Sequence, residues 1–268
     1  MKRNPFLNPD LFLFARDDWK KRSHFHELSE AEVLKQVSER IGRHQKPVVL
    51  LDLDSTLYEV GPRTHAILTE WLSHSDSNKH PEVRERLKKL EEQHVGFSLR
   101  DTFGAIGLSQ DDPLVERAMI EAKDFWSNRF FTSGYLSYDR AYPGASQFVN
   151  KIYNLGAHLV YLTGRDLPNM GHGTESNLIR DGFPWKVERT HLLLKPHRSM
   201  SDLEHKKSAA DFVRRTGNLV ASFENEPLNL VALGDLFPDA MHVFVETVCS
   251  DHPANPGKNL YRIRGFSG

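Results

Sequence analysis

The apolar run Val48-Val49-Leu50-Leu51 is followed directly by the polar sequence Asp52-Leu53-Asp54-Ser55-Thr56. An uninterrupted aliphatic run with β-branched members predicts a strand that is buried on both faces, as is typical of parallel sheets. We predict a strand over residues 48–54. Because side chains two residues apart on an extended segment point the same way, Asp52 and Asp54 are expected on one side of the chain at the end of this strand.

From residue 143 onward, short apolar runs alternate with segments of helical periodicity. The runs predict strands over 157–162, 190–194, 218–223 and 241–245. The segments between and around them predict helices over 144–155, 172–180, 203–215 and 227–234. Strands that are separated by helices with short connections imply an α/β fold, in which a parallel sheet carries helices on both faces.

Residues 62–140 lack a convincing strand pattern and contain several helical ones. One helix is predicted to open at Pro81, and another at Asp112-Pro113. The charged run over 84–92 is typical of a solvated helix face. This block interrupts the β/α alternation, so we interpret it as an inserted helical cap, bounded by turns near Gly61-Pro62 and Tyr142-Pro143-Gly144.

The chain before the first strand is expected to add a helix to the main domain. Ser29 and Glu32 have capping-box spacing, and a helix is predicted over 29–42. The apolar run over 11–14 and Trp19 fit either packing against the core or an interaction surface. We therefore predict three units: an N-terminal helical extension, a main α/β domain and the helical cap. Their residues are 1–46 for the extension, 47–61 and 141–268 for the main domain, and 62–140 for the cap.

Composition and charge are those of an ordinary globular protein. The chain has 268 residues, of which 39% are hydrophobic and 26% are charged. A formal net charge of −1 gives no electrostatic reason to expect a nucleic acid or an anionic membrane as partner. Cys249 is the single cysteine, which excludes an internal disulfide and suits a reducing compartment. No signal peptide or membrane span is predicted, and we expect a cytoplasmic protein.

Polar side chains follow three of the predicted strands. The first strand ends in Asp52 and Asp54, the second in Thr163-Gly164-Arg165, and a third in Glu224-Asn225-Glu226. In an open parallel sheet, ligands bind outside the carboxyl ends of the strands. Two carboxylates held close together need a cation or a shared proton. A divalent metal is the simplest explanation, and the set of residue types fits transfer of a phosphoryl group.

In these motifs the chain resembles the haloacid dehalogenase superfamily. The first motif of that superfamily, an apolar strand followed by Asp-x-Asp-x-Thr/Val, stands here as Asp52-Leu53-Asp54-Ser55-Thr56. The second matches Leu159-Val160-Tyr161-Leu162-Thr163-Gly164-Arg165, the third matches Lys206, and the fourth matches Phe223-Glu224-Asn225-Glu226-Pro227. The motifs cover residues 47–230 in the expected order. The resemblance implies a Rossmann-like core with a cap inserted between the first two motifs.

The resemblance also implies catalytic roles. Asp52 would attack phosphorus and carry an aspartyl-phosphate, while Asp54 would act as general acid and base and offer its backbone carbonyl to the metal. Mg²⁺ is the expected cofactor, with the metal ligands among Asp52, Asp54, Glu224 and Glu226. Thr163 and the Gly164 amide would bind the phosphoryl oxygens.

The implied cation is a lysine, and its identity is open. Lys206 would offset charge in the transition state. We prefer it to Lys207 and Lys195 because apolar residues follow it at helical spacing. Arg165 is expected either to touch the phosphate or to form a structural ion pair.

Three further features of the sequence remain open or favour a structural interpretation. The superfamily usually has Asp in the fourth motif, so it is open whether Glu224 or Glu226 binds the metal. The segment Gly171-His172-Gly173-Thr174 lacks the preceding strand and the lysine of a phosphate loop, and we interpret it as a turn that opens a helix. The 14 histidines form no metal-binding pattern.

The leading interpretation is a magnesium-dependent phosphohydrolase that acts on a small phosphomonoester. Phosphotransfer to another hydroxyl, as in a mutase, is the alternative among enzymes, and haloacid dehalogenation is less expected because Asp54 suits phosphoryl chemistry. A phospho-receiver-like module or a degenerate binding module is the alternative of a different class. The sequence does not indicate which substrate is used or the oligomeric state.

Overall fold

A computed structural model describes Trp19 and residues 26–109, 111–255 and 260–267. The strands are β1 His26–Glu27, β2 Pro47–Leu51, β3 Tyr58–Glu59, β4 Arg140–Ala141, β5 His158–Asp166, β6 Thr190–Lys195, β7 Asn218–Glu224, β8 Met241–Val245 and β9 Leu260–Ile263. Within this part of the chain, seven strands form one parallel sheet in the order β1-β9-β8-β7-β2-β5-β6. The remaining two, β3 and β4, pair antiparallel.

The α-helices among the described residues are α1 Glu30–Arg43, α2 Gly61–Leu72, α3 Pro81–Leu87, α4 Leu99–Ala105, α5 Pro113–Phe130, α6 Ala145–Asn154, α7 Leu167–Arg180, α8 Asp202–Ser208, α9 Ala210–Thr216 and α10 Pro227–Leu236. Short 3₁₀ helices cover Ser75–Lys79, Glu92–His94 and Tyr135–Tyr138. The predicted fold class, an α/β parallel sheet with an inserted helical block, is confirmed.

Strand β2 lies at the centre of the sheet and divides its two hydrophobic layers. Val49 and Leu51 belong to one buried cluster, together with side chains of α1 and α6 such as Val37 and Phe148. Val48 and Leu50 belong to the opposite cluster, together with side chains of α9 and α10. Helices therefore cover both faces, which is why the strand has an uninterrupted aliphatic sequence.

The register of the central strands brings their carboxyl ends to the same level. Leu51 lies beside Tyr161 of β5 and Phe223 of β7. The amide of Asp52 continues the ladder by donating to the Phe223 carbonyl oxygen at 3.1 Å. The residues that follow these three strands are thus held at one edge of the sheet.

Four α-helices, α2 to α5, lie between β3 and β4 and form what we call the helical insertion, residues 61–138. They enclose a hydrophobic cluster of their own, which contains Trp71, Phe103 and Val115. The antiparallel pair β3 and β4 joins the two ends of the insertion. The exact division of the chain into three units remains a prediction.

The predicted N-terminal helix is present as α1, and both capping-box hydrogen bonds form. The Ser29 amide donates to Glu32 Oε2 at 2.8 Å, and the Glu32 amide donates to Ser29 Oγ at 3.3 Å. Trp19 packs in the core, because its ring lies 5.6 Å from that of Phe244 and its Nε1 donates to the Ala254 carbonyl oxygen at 3.1 Å. The apolar run over 11–14 lies outside the described residues.

Several element boundaries differ from those predicted. Strand β2 ends at Leu51 rather than at residue 54, because the chain turns through Ser55, which has φ 61° and whose amide donates to the Tyr58 carbonyl oxygen. Strand β5 continues to Asp166, since its ladder with β6 extends to Lys195. The helix predicted over 203–215 is divided at Ala209 into α8 and α9.

Helix α7 starts five residues before the predicted start at 172. The side chain of Asp166 caps it by accepting a hydrogen bond from the Asn169 amide at 3.0 Å. The segment 171–174 therefore lies inside the helix, so its interpretation as a helix-opening turn is wrong. A Cβ on Gly173 would lie 2.7 Å from the Ser133 carbonyl oxygen, so this glycine allows the chain after α5 to approach closely.

Strands β1 and β9 were not predicted, since they are short and lie at one edge of the sheet. None of the described helices combines the length and the apolar character needed to cross a bilayer.

We predict that Gly144 is more sensitive to substitution than Gly156. Both residues have positive φ, 80° and 100°, so an alanine at either position is strained. A Cβ on Gly144 would lie 2.1 Å from the Phe266 carbonyl oxygen, whereas a Cβ on Gly156 would have no neighbour within 4 Å. Gly156→Ala should lower the free energy of unfolding by about 1 kcal/mol, and Gly144→Ala by at least about 2 kcal/mol more. Urea unfolding measures both, and equal losses would contradict the assigned contact.

Candidate active site

A cavity of about 360 Å³ opens at the carboxyl ends of β2, β5, β6 and β7. The sheet contributes to its lining the side chains or backbone of Asp52, Asp54, Gly164, Lys195, Glu224 and Glu226, and α8 adds Lys206. The helical insertion contributes the other wall, through residues of α2, α5 and the loop before α4. The volume is at the lower end of the range for small-molecule sites.

Lys206 links the ends of two strands at the bottom of this cavity. Its ammonium nitrogen lies 2.7 Å from Asp52 Oδ1 and also contacts Glu224 Oε2. The Lys206 residue is only 3% exposed, and both carboxylates are buried as well. One ammonium therefore serves two carboxylates in a site from which water is largely excluded.

The three buried ionisable groups change one another's pKa values. Burial raises the pKa of the Asp52 carboxyl, although Lys206 opposes this shift. Burial and the charge of Asp52 raise the pKa of Glu224 to about 8. Burial alone would lower the pKa of Lys206, but its two carboxylate partners raise it instead. The group has two carboxyls and one ammonium, so an additional cation would favour the ionised form of both carboxyls.

Helix α8 decides which of the three candidate lysines reaches Asp52. Ser201 caps this helix by accepting a hydrogen bond from the Glu204 amide, and the helix turns Lys206 inward and leaves Lys207 exposed. Lys195, at the end of β6, lies in the same cavity but pairs with Asp202 at 2.9 Å. Lys206 is therefore the lysine in contact with the proposed nucleophile.

The turn after Asp54 is fastened to the end of β7. The Asn225 amide donates to Thr56 Oγ1 at 3.1 Å, and Thr56 Oγ1 donates to Asn225 Oδ1 at 3.1 Å. Both side chains are buried, so these hydrogen bonds are protected from water. This contact explains the threonine at the last position of the Asp-x-Asp-x-Thr segment, because it holds the first motif against the fourth.

Asp54 forms ion pairs with two arginines. Arg165 Nη2 lies 2.7 Å from Asp54 Oδ1, and Arg63 Nη2 lies 2.9 Å from the same oxygen. The Asp54 side chain keeps 31% of its surface exposed. Burial alone would raise the pKa of Asp54. The positive charges of Arg165 and Arg63 outweigh this effect and hold that pKa far below its usual range. Asp54 is therefore an ionised carboxylate.

A second aspartate, Asp139, completes this network and was not predicted. Its oxygens accept from Arg63 Nε and Nη2, both at 2.7 Å, and from Arg165 Nη2 at 2.8 Å. Burial raises the pKa of Asp139, while the two guanidinium groups oppose this. Arg63 lies at the start of the insertion and Asp139 directly follows its end, while Asp54 follows β2 and Arg165 lies near the end of β5. These four charges, three of them buried, therefore join the insertion to the sheet.

The second motif contributes backbone and packing to the site. Gly164 lines the cavity, and a Cβ there would lie 2.6 Å from Asp202 Oδ2. Thr163 is fully buried, and its Oγ1 accepts from the Arg165 amide at 3.3 Å. Each nitrogen of the Arg165 guanidinium donates within the protein, to Asp54, Asp139 or Thr174. Of the two roles considered for Arg165, the structure shows the ion pair.

The carboxylate oxygens that line the cavity determine which metal ion it could hold. Among the described residues, no three His, Cys, Asp or Glu side chains converge as they would around a bound ion. Glu226 is turned toward Ser250, whose amide donates to its Oε2 at 3.0 Å. Asp52 and Glu224 remain as two carboxylates that share one ammonium. Mg²⁺ commonly uses one or two carboxylates and retains several waters, so this pair fits it.

Comparison with solved structures places this fold in a known class. A crystal structure from Clostridium difficile, provisionally named as a phosphatase, matches with 14% identity and a TM-score of 0.53. The match covers 81% of this chain and 94% of that chain. A predicted phosphoglycolate phosphatase from Haemophilus somnus matches with 13% identity, 82% and 94% coverage and a TM-score of 0.50. The class is therefore the α/β fold of phosphatase-like proteins.

The Rossmann-like α/β core that the sequence motifs predict is confirmed, since these two solved structures share it. No protein-family model and no curated protein matches the sequence. The activity must therefore be argued from the side chains of the cavity.

We predict that Asp139→Ala lowers the free energy of unfolding by about 3 to 5 kcal/mol, because it leaves two buried guanidinium groups with Asp54 as their remaining carboxylate partner. The matched control is Glu85→Ala, which removes an ion pair with Lys88 that is exposed on both sides. It should change stability by at most about 0.5 kcal/mol. Both are measured by urea unfolding, and a loss below about 1 kcal/mol for Asp139→Ala would refute the role of the network.

Proposed function

We propose that this protein is a magnesium-dependent phosphohydrolase that cleaves a small phosphomonoester of the cytoplasm through an aspartyl-phosphate on Asp52. The observation that carries the proposal is the contact between the Asp52 carboxylate and the Lys206 ammonium inside a cavity at the carboxyl end of the central strand. A buried carboxylate beside a fixed cation suits attack on an anionic phosphoryl group.

In the first step, an oxygen of Asp52 forms a bond to phosphorus while the bond from phosphorus to the leaving oxygen breaks, and that oxygen takes a proton by way of Asp54 and leaves as the alcohol. In the second step, water attacks the same phosphorus and releases inorganic phosphate together with the restored Asp52 carboxylate. Lys206 stands beside the nucleophile, where its charge offsets the negative charge on the phosphoryl oxygens. The Gly164 amide, beside the same cavity, is a proposed partner for those oxygens.

Asp54 is the proposed acid and base. Its contacts with Arg63 and Arg165 favour the carboxylate form, which supports the basic half of the cycle, in which it takes a proton from the attacking water. Arg165 would act on the reaction through Asp54, because its guanidinium is engaged there and with Asp139. The arginines would thus orient the base rather than bind the phosphate.

The proposed Mg²⁺ would be held by Asp52 and Glu224, with the backbone carbonyl of Asp54 as the ligand that the superfamily resemblance implies. Bound there, the ion would shield the carboxylate and the phosphoryl group from each other's charge. We prefer Glu224 to Glu226 as ligand, because Glu224 shares the Lys206 ammonium with Asp52 whereas Glu226 is engaged by Ser250.

We expect the purified protein to release phosphate from p-nitrophenyl phosphate with Mg²⁺ and to lose this activity in EDTA. Asp52→Asn should lower kcat by at least about a thousandfold, because the amide cannot act as nucleophile. Asp211→Asn changes a carboxylate whose side chain is 76% exposed and should retain activity. Unchanged activity in Asp52→Asn refutes the nucleophile. Failure to turn over a broad phosphoester panel favours a binding module.

We also expect Lys206→Met to lower kcat by about a hundredfold or more, since the transition state loses its nearest ammonium. Lys207→Met is the matched control, because Lys207 is adjacent in sequence and exposed, and its kcat should stay near that of the wild type. Steady-state kinetics on both variants, with folding checked by circular dichroism, measure the difference. Equal kcat values for the two variants would assign the catalytic cation elsewhere.

A further inference from the structure

The wall of the cavity opposite to the charged groups is aromatic. Four rings of the helical insertion line it: Phe97, Trp126, Phe130 and Phe131. Phe97 is 47% exposed, so part of its ring is open to a ligand in the cavity. Phe97 and Trp126 also line an adjoining cavity of about 500 Å³, so their rings stand between two open spaces.

Two rings of the aromatic wall, those of Trp126 and Phe130, are held in place by neighbouring side chains. Trp126 and Phe130 are four residues apart on α5 and share one face, with ring centroids 4.3 Å apart and planes inclined by 27°. Trp126 Nε1 donates to Thr64 Oγ1 of α2 at 3.0 Å, and the Arg63 guanidinium lies 4.1 Å from the centre of the Phe130 ring. A wall that is ordered before binding loses little entropy when a ligand lies against it.

Two polar side chains of the insertion that line this wall have partners within the protein. The Thr64 hydroxyl oxygen accepts from Trp126 Nε1, and Glu92 accepts two hydrogen bonds from Arg140 at 2.6 and 2.9 Å. A ligand with many hydroxyl groups would compete with these contacts, because the rings themselves offer it no free hydrogen-bond partner. A planar apolar group needs no such partners.

We propose that the substrate is the phosphomonoester of an aromatic alcohol, whose ring lies against Phe97 and Trp126 while its phosphoryl group reaches Asp52. This inference rests on the proposed phosphohydrolase function and adds the class of the leaving group. The charged end of the cavity would handle the phosphoryl group common to all phosphomonoesters. The aromatic end would select among them, because rings that pack against rings gain contact area and favourable stacking.

The test compares phosphomonoesters of primary alcohols with similar acidity, so that the leaving group does not dominate the rate. These are benzyl, 2-naphthylmethyl and cyclohexylmethyl phosphate, with glycerol 3-phosphate as the polar member. We expect kcat/KM for benzyl phosphate to exceed that for glycerol 3-phosphate by about tenfold or more. We also expect 2-naphthylmethyl phosphate to be at least as good as benzyl phosphate, and cyclohexylmethyl phosphate to be worse.

Substitutions at the aromatic wall test whether the preference for benzyl phosphate arises there. Phe97→Ala should reduce the benzyl-to-glycerol ratio by about fivefold or more. Phe97 is 47% exposed and lies outside the buried core, so the substitution leaves core packing unchanged. Trp126→Leu should reduce the ratio too, with folding checked by thermal unfolding. Tyr138→Ala removes an aromatic ring of the insertion that is 49% exposed and lies outside the cavity lining, so the ratio should persist. A ratio near one in the wild type, or a preference that survives both substitutions at the wall, overturns the proposal.

A binding measurement separates this inference from the proposed function. If no phosphomonoester is turned over, the phosphohydrolase function fails, but the ring site can still be tested with benzylphosphonate and methylphosphonate by calorimetry. Tighter binding of benzylphosphonate that is lost in Phe97→Ala supports the aromatic site. Equal affinity for the two phosphonates overturns it.

Discussion

The structure depends on the neutralisation of carboxylates that are buried where the central strands end. Asp52 and Glu224 come from strands that the sheet register places side by side, and one ammonium, that of Lys206, lies between them. Without a cation this arrangement would be prohibitively costly, since each buried charge loses its hydration. The second carboxyl, which Lys206 alone does not neutralise, supports the proposal that a divalent ion binds here. The same three side chains, Asp52, Glu224 and Lys206, are therefore needed both to neutralise buried charge in the folded protein and for the proposed reaction.

A second group of buried charges connects the helical insertion to the sheet. Arg63 lies at the start of the insertion and Asp139 directly follows its end, while Asp54 follows β2 and Arg165 lies near the end of β5. A network in which every charge has a partner has a defined geometry, because any displacement leaves a charge unpaired. The aromatic wall is carried by the same insertion, and the Arg63 guanidinium rests on the Phe130 ring. Arg63 contacts both Asp54, the proposed base, and Phe130 of the aromatic wall, so the positions of these two groups depend on each other.

Two of the solved structures that share this fold are 13 and 14% identical to the chain, so they establish the architecture alone. The chemistry of the cavity depends on the side chains of this chain. The helical insertion places four aromatic rings opposite the charged ends of the strands. This combination of a charged end and an aromatic end within one small cavity supports the proposal that the substrate is selected by its leaving group.

The sequence by itself determined the parallel sheet, the central buried strand, the place of the helical insertion and the set of residues at the strand ends. These follow from local patterns: apolar runs, helical periodicity and polar residues where strands stop. Tertiary structure alone decided that Lys206 rather than Lys195 or Lys207 contacts Asp52, and that Asp139 joins Arg63 although 76 positions separate them. It also revealed β1 and β9 at the sheet edge. The physical reason is that an ion pair or an edge strand is specified by where distant segments meet, and an isolated charged residue or a short apolar run has the same local sequence whether or not it finds a partner.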